Sequence, residues 1–422
     1  MATEAAADDP VPDVRGRNWR ILSIGLLGFS SGLPLALSGA TLQAWFTTAG
    51  MSLKDIGWIT VIGQAYVFKF LWAPLLDRVR LPWLGRRRGW VLLMQAICGA
   101  ALVAMSFETP QGAAVLLAFF AVLLAFASAT QDIAYDAHRT DLLRPAERGW
   151  GIGFMQGGYR IAMLVSGAFA LILADHAGWA FTYRAMGVLM WAAMIVTVAS
   201  PDAPDERPAR TFVSAVVEPF ADFFRRYGKL AIAWLVLMVL YKLCDAFALS
   251  LSTTFLLRVP QFSLTQIGTV SKTFGLAAGL LGAVSGGWVV TRMRLFPALL
   301  VLGTCQALVN LGYIWLVHSG PDVSAMATVV SLEYFFSGLG STAFVVLVTG
   351  LCNVRFSATQ FALLSALAAV GRVFLGPVAA WLVPQVGWSN FFAITALSAA
   401  PGLLLVIGLR RAIHDVEGAR PT

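Results

Sequence analysis

Nine ionisable side chains stand inside stretches otherwise apolar enough to cross a bilayer: Lys69, Asp132, Asp136, Arg160, Lys242, Asp245, Lys272, Glu333 and Arg372. On insertion scales each costs about 2.5–3.5 kcal/mol at the centre of a membrane helix. Such residues are retained where they pair, bond to backbone or face a water-filled cavity, which marks them as parts of a pathway. Two kinds of chemistry suit them. Arginine holds a carboxylate or phosphate in a bidentate fork. A desolvated carboxyl group, or one beside a like charge, favours its protonated form and can load and release a proton.

Depth sorts the nine. Lys69, Arg160, Lys242 and Arg372 lie about 10–13 residues into their spans, roughly 15–20 Å at 1.5 Å per residue. That is near the middle of a core about 30 Å thick. These four cations, with Gln64, Tyr66 and Gln131 beside them, are the candidate binding residues of a net cationic chamber. Asp245, three residues after Lys242 on the same helical face, is the acid expected at that depth. Asp132 and Asp136 share a face of one span and, with Asp245 and Glu333, are the candidates for proton coupling. The competing reading of each is a structural ion pair. Lys69 is expected to meet Asp136 or a tyrosine, and Lys272 to reach out to a span end.

The elements that position these groups follow from composition. The chain has 422 residues, 58% hydrophobic and 12% charged, where a soluble chain carries about 25% charge. Apolar runs of about 20 residues fall at roughly 21–44, 57–77, 89–107, 113–136, 150–174, 180–200, 230–256, 265–290, 296–317, 324–350, 359–383 and 389–409, here spans 1 to 12. An all-α membrane protein of twelve spans is expected. The net charge of +8 does not indicate nucleic acid, because it sits in alternate loops. The termini and even-numbered loops hold 22 Lys and Arg, against three in the odd-numbered loops. The positive-inside rule then places both termini in the cytoplasm.

The predicted organisation is a cytoplasmic tail over 1–20, a six-helix half over 21–200, a cytoplasmic linker with an amphipathic surface helix over 201–229, a second six-helix half over 230–410, and a tail over 411–422. Cys98, Cys244, Cys305 and Cys352 have unrelated spacings and read as core residues. The four histidines show no ligand spacing. No metal or cofactor is expected. No nucleophile–base–orienter set argues for an enzyme.

The halves repeat in register. Ala36-Leu37-Ser38 recurs as Ala248-Leu249-Ser250, Ser52-Leu53 with Ile56-Gly57 as Ser263-Leu264 with Ile267-Gly268, and Arg160 has a counterpart in Arg372. A six-plus-six parallel repeat resembles the plan of the major facilitator superfamily, whose substrate site lies near the midplane between the halves. Loop 2–3, with Asp77, Arg78, Gly85, Arg86 and Arg87, resembles a stretched form of that superfamily's D-R-x-G-R-R gating signature. Glu147-Arg148-Gly149 resembles its E-R-G element. The resemblance implies a gating role for these residues.

Longer stretches resemble the AmpG-type muropeptide permeases of Gram-negative bacteria. They include Gly32-Leu-Pro-Leu-Ala-Leu37, Gly63-Gln-Ala-Tyr-Val-Phe-Lys-Phe-Leu-Trp72, Ser128-Ala-Thr-Gln-Asp-Ile133 and Leu240-Tyr-Lys-Leu243. The resemblance runs over about residues 20–410. It implies a monomeric inner-membrane carrier that uses the proton gradient to import anhydromuropeptides, which are anionic glycopeptides, for cell-wall recycling, with a link to β-lactamase induction. Two alternatives stay open from the residues: a carrier for another anion such as an acyl-CoA or a peptide, and a membrane receptor that binds without transport.

Overall fold

The computed structural model describes residues 14–79, 81, 84–144, 147–202, 217–353 and 357–418. Every regular element among them is helical. Ten helices are long and apolar enough to cross a membrane, and two local features make these into twelve passes. Leu363–Gly408 is counted as one, but the chain turns inside it at Gly387, φ +76°. Glycine adopts that conformation without steric cost, and spans 11 and 12 separate there. Span 2 crosses over 53–78 in short pieces, with 3₁₀ turns at Thr60–Gly63 and Lys69–Leu71. No single piece has spanning length.

Span 1 begins earlier than expected, within Val14–Leu37, and continues as Ala40–Thr48. The expected C-terminal tail contains the helix Arg410–Gly418. The linker carries the anticipated amphipathic helix, Glu218–Tyr227. It is fastened to the second half: Asp222 accepts hydrogen bonds from Gln360 Nε2 at 2.9 Å, Asn353 Nδ2 at 3.2 Å and Arg226 Nη2 at 3.0 Å. Burial opposes ionisation of Asp222, yet these three donors hold its carboxyl below the ordinary carboxylate range.

Lipid offers helices no hydrophobic reason to associate, so close packing of small residues carries assembly. In the first half, a Cβ on Gly158 of span 5 would run into the Gly25 carbonyl of span 1. In the second half, a Cβ on Gly338 of span 10 would run into the Gly279 carbonyl of span 8.

The halves touch chiefly at the face remote from the termini, here the far face. A Cβ on Gly57 of span 2 would lie 2.5 Å from Ala380 Cβ and 2.8 Å from the Gly376 carbonyl of span 11. Thr47 and Thr254 hydroxyls are 2.9 Å apart, Gln43 Nε2 donates to the Ser250 carbonyl at 3.2 Å, and Thr60 Oγ1 donates to the Val373 carbonyl at 3.0 Å. Spans 5 and 8 meet through two π-helical stretches, Leu164–Phe169 and Ile267–Phe274. Among the described residues the halves are thus sealed at the far face, and the cleft between them opens toward the near face, which carries both termini.

Candidate functional site

The first half presents its polar groups to the cleft. Span 2 is interrupted where Lys69 leaves it, and Lys69 Nζ reaches Asp132 Oδ2 of span 4 at 3.4 Å. Ser31 of span 1 donates to the other Asp132 oxygen at 2.5 Å. Asp132 therefore sits in a fixed triad. Asp136, one turn nearer the termini, takes Arg139 Nη2 at 3.2 Å instead and is half exposed. The expected Lys69–Asp136 pair is thus corrected to Lys69–Asp132, because Asp132 is the acid level with the break in span 2.

Arg160 completes this surface. On span 5, Gly153, Gln156, Gly157 and Arg160 form one small or polar stripe, about 100° around the helix from the exposed apolar Trp150, Phe154 and Ile161. The apolar stripe suits lipid and the polar stripe suits water. Tyr159 lies among Asp132, Asp136 and Arg160. Arg160 itself is exposed and makes no hydrogen bond or ion pair among the described residues. An exposed guanidinium with five unused donors is what an incoming carboxylate or phosphate requires.

Two candidate binding residues lie elsewhere. Gln131 is fully buried inside the first half, with its Nε2 donating to Ser30 Oγ at 3.1 Å. Gln95 also donates to Ser30, and Thr197 donates to Gln95. Gln131 thus belongs to an internal network joining spans 1, 3, 4 and 6. Gln64 lines an apolar groove of about 500 Å³ between spans 2 and 4, floored by Leu42 and Phe46 and flanked by exposed Trp58 and Val122. It faces the flank of the bundle. The Tyr66 hydroxyl is buried and makes no hydrogen bond among the described residues.

The second half is built differently. Lys242, at a break in span 7, donates to Ser341 of span 10 at 2.6 Å and lies 3.6 Å from Asp245 Oδ2. Asp245 also accepts from Ser337 at 2.9 Å and from Gln306 of span 9 at 3.4 Å. Glu333 is fully buried one helical turn before Ser337, and neither of its oxygens has a hydrogen-bond partner among the described residues. Lys272 bonds Thr253 at 3.2 Å and does not run to a span end. A π-helical turn aims it at span 7.

The expected net cationic chamber is therefore modified. Among the described side chains, Lys69 pairs with Asp132, Lys242 with Asp245, and Asp136 with Arg139. Lys272 meets only a hydroxyl, Thr253, and the exposed positive charge left without an ion pair or hydrogen bond among the described residues is at Arg160. The Arg372 side chain lies outside the described residues.

At the near face, Arg20 of span 1 clasps Glu147 with Nη2 to Oε1 at 2.6 Å and Nε to Oε2 at 3.2 Å. The hydrogen bond from Arg20 comes first among the effects that hold the Glu147 carboxyl below its ordinary range. Arg87 lies 3.5 Å from Asp141, and Arg88 pairs with Asp202 at 3.0 Å. Gly85, φ +73°, begins span 3 beside the Asp202 carboxylate. These contacts tie span 1 to the start of span 5, and span 3 to the ends of spans 4 and 6. The side chains of Asp77, Arg78, Arg86 and Arg148 lie outside the described residues.

Ser337, Ser341, Gln306 and Asn310 went unassigned by sequence reasoning. Ser337 and Ser341 follow Glu333 at intervals of four on span 10, and Gln306 and Asn310 are four apart on span 9. That period was the available signal.

Two six-helix halves around a polar cleft, sealed at one face and open at the other, define a membrane solute carrier. The chain belongs to the Major Facilitator Superfamily, whose sequence profile matches residues 24–357. It is 48% identical to the anhydromuropeptide permease of Escherichia coli K12, over 92% of this chain and 79% of that protein. Its fold matches solved transporters at low identity. A variant of the peptide transporter POT in complex with alafosfalin superposes with a TM-score of 0.70 at 14% identity, covering 97% of both chains. The D-xylose–proton symporter gives 0.68 at 12% identity, covering 93% of this chain and 97% of the other.

Proposed function

We propose that this protein imports anhydromuropeptides from periplasm to cytoplasm across the bacterial inner membrane, driven by the proton gradient. It acts as a monomer with both termini cytoplasmic. It serves cell-wall recycling and, where an inducible β-lactamase is present, supplies the inducing muropeptide. One observation carries the reading: 48% identity to an anhydromuropeptide permease along 92% of the chain.

The site fits in chemistry. Muropeptides carry lactyl-linked and terminal peptide carboxylates, and the exposed Arg160 offers a bidentate partner to one of them. Ser31, Lys69 and Asp132 offer further hydrogen-bonding groups on the same wall. Asp132, Asp136, Asp245 and Glu333 are the carboxyl groups available to carry a proton. Arg372, level with Arg160 in the repeat, is a further candidate for the substrate. Alternation would exchange the far-face seal for a near-face one, with the Arg20–Glu147 and Arg87–Asp141 contacts keeping the first half rigid as it rocks.

The test is uptake by the purified chain in proteoliposomes. Labelled anhydromuropeptide should accumulate under a pH gradient acid on the far-face side, and collapse of the gradient should abolish the accumulation. Accumulation of labelled acyl-CoA or of a peptide lacking sugar, in place of the muropeptide, would overturn the substrate. Binding without accumulation would indicate a receptor.

A further inference from the structure

We propose that the coupling proton is held inside the second half, shared between Glu333 and Asp245 in a pocket separate from the substrate cleft, and that Lys242 converts its arrival and departure into movement of span 7. The inference rests on the proton-driven reading above and selects one among its candidate carboxyl groups.

Three observations carry it. First, Glu333 has 0% exposure, and both of its oxygens lack hydrogen-bond partners among the described residues. A carboxyl group in that position has given up its hydration with no hydrogen bond made in exchange, a cost that a neutral, proton-carrying group bears more easily than a charged one. Second, two buried acceptors on span 9, whose amides bond Asp245 and Cys244, are unsatisfied among the described residues: Gln306 Oε1 and Asn310 Oδ1. A cavity of about 10 Å³ lies against Lys242, Asp245 and Gln306, about the space that one water needs. An acceptor-rich pocket of this size suits a proton and a water. Third, the pocket lies within one half. The cavity's described lining residues all come from spans 7, 9, 10 and 12 of the second half.

The charged groups bearing on Glu333 are Asp245 first, then Lys242 on span 7 and Lys272 on span 8. Tyr313 of span 9 and Tyr334 of its own span also face it. Two carboxyl groups and one close ammonium leave room for one shared proton, as like charges at short range resist joint ionisation. When the proton is present, Lys242 faces the Asp245 carboxylate, 3.6 Å away. When it leaves to water, Glu333 becomes a second anion and draws on the same ammonium. Lys242 stands where the helix of span 7 is interrupted, at φ −98° and ψ 2°, so a shift of its side chain can bend the span. Span 7 carries Ser250 and Thr254, both bonded across the far-face seam. A proton in the pocket is thereby linked to the seal.

The experiment uses the full chain in proteoliposomes with labelled anhydromuropeptide. It compares accumulation under a pH gradient with counterflow, the exchange of labelled for unlabelled substrate at equal pH. For Glu333→Gln, counterflow should stay within about twofold of the parent, while gradient-driven accumulation falls by roughly tenfold or more, to equilibration. Undiminished accumulation by Glu333→Gln would overturn the proposal. Should that variant give no counterflow, Asp245→Asn decides. Removing the like charge should move the pH profile of gradient-driven uptake to lower pH, and an unmoved profile overturns the proposal. A parent driven by a sodium gradient and not by pH overturns the choice of a proton. A parent that accumulates no muropeptide under any gradient is distinct, since it overturns the functional reading itself.

Discussion

Lys69 and Lys242 each stand at a break in a span, each in its own half, and each faces an aspartate that also accepts from a serine. Their surroundings differ. The Lys69 side chain is 32% exposed and its Asp132 partner 14%, on the wall of the open cleft. Lys242 and Asp245 are each 12% exposed, and a fully buried Glu333 lies behind them. Water screens the first pair and hardly reaches the second, so the same charge pair means different things in the two halves. On the cleft wall it is a contact that a ligand can share. In the buried pocket it is, on the proposal above, a balance that one proton can upset.

The largest effect should come from breaking the sealed pair. Lys242→Ala leaves Asp245 buried without its cation, a change that typically costs about 3–5 kcal/mol. It should lower the melting temperature in detergent more than any single change on the cleft wall. Arg160→Ala should leave that temperature unmoved and weaken substrate binding about 10–100-fold, the value of hydrogen bonds to a charged group. Calorimetric titration with muropeptide reads this directly, and unchanged affinity would remove Arg160 from the site.

Lys69→Ala should cost less than Lys242→Ala, because the Lys69 side chain is 32% exposed where that of Lys242 is 12% exposed. A double-mutant cycle with Asp132→Asn measures the coupling. A loss as large as that of Lys242→Ala would erase the distinction between the halves. The smallest effect lies at the near face. Glu147 titrates below the ordinary value of about 4.3 because Arg20 clasps it. Its stabilisation is complete above that ordinary value and is lost as pH falls through the depressed one. Between pH 7 and 5 the parent and Glu147→Gln should respond alike to acid. Below about pH 4 the parent should lose roughly 1 kcal/mol or less relative to the variant, read from melting curves.

Much of the fold was legible because lipid imposes one simple demand, a long apolar run for every crossing. The breaks were harder to read. Span 2 looks continuous in hydropathy, yet its 3₁₀ turn at Thr60–Gly63 packs against span 11 and that at Lys69–Leu71 against span 4. The site was half legible. Charged residues announce themselves in apolar spans, but the choice of partner depends on helix rotation and relative height. Those quantities put Asp132 and not Asp136 beside Lys69. They also turned Gln131 into an internal network and Gln64 toward the flank. Glu333 was identified by its charge alone. Its lack of partners is a property of three neighbouring helices, which no single stretch of sequence contains.

The far-face seam has one further consequence. Backbone, glycine and hydroxyl groups make most of it, and among the described residues no ion pair crosses it. Its nearest approaches to charge are Asp175 accepting from Thr265 at 3.0 Å and Arg258 donating to the Met51 carbonyl. Dissolved ions weaken attractions between opposite charges, and here they find little to weaken. The molecule should open and shut at much the same pace in dilute and in concentrated electrolyte, a tolerance useful to a carrier whose outer side meets a changing medium.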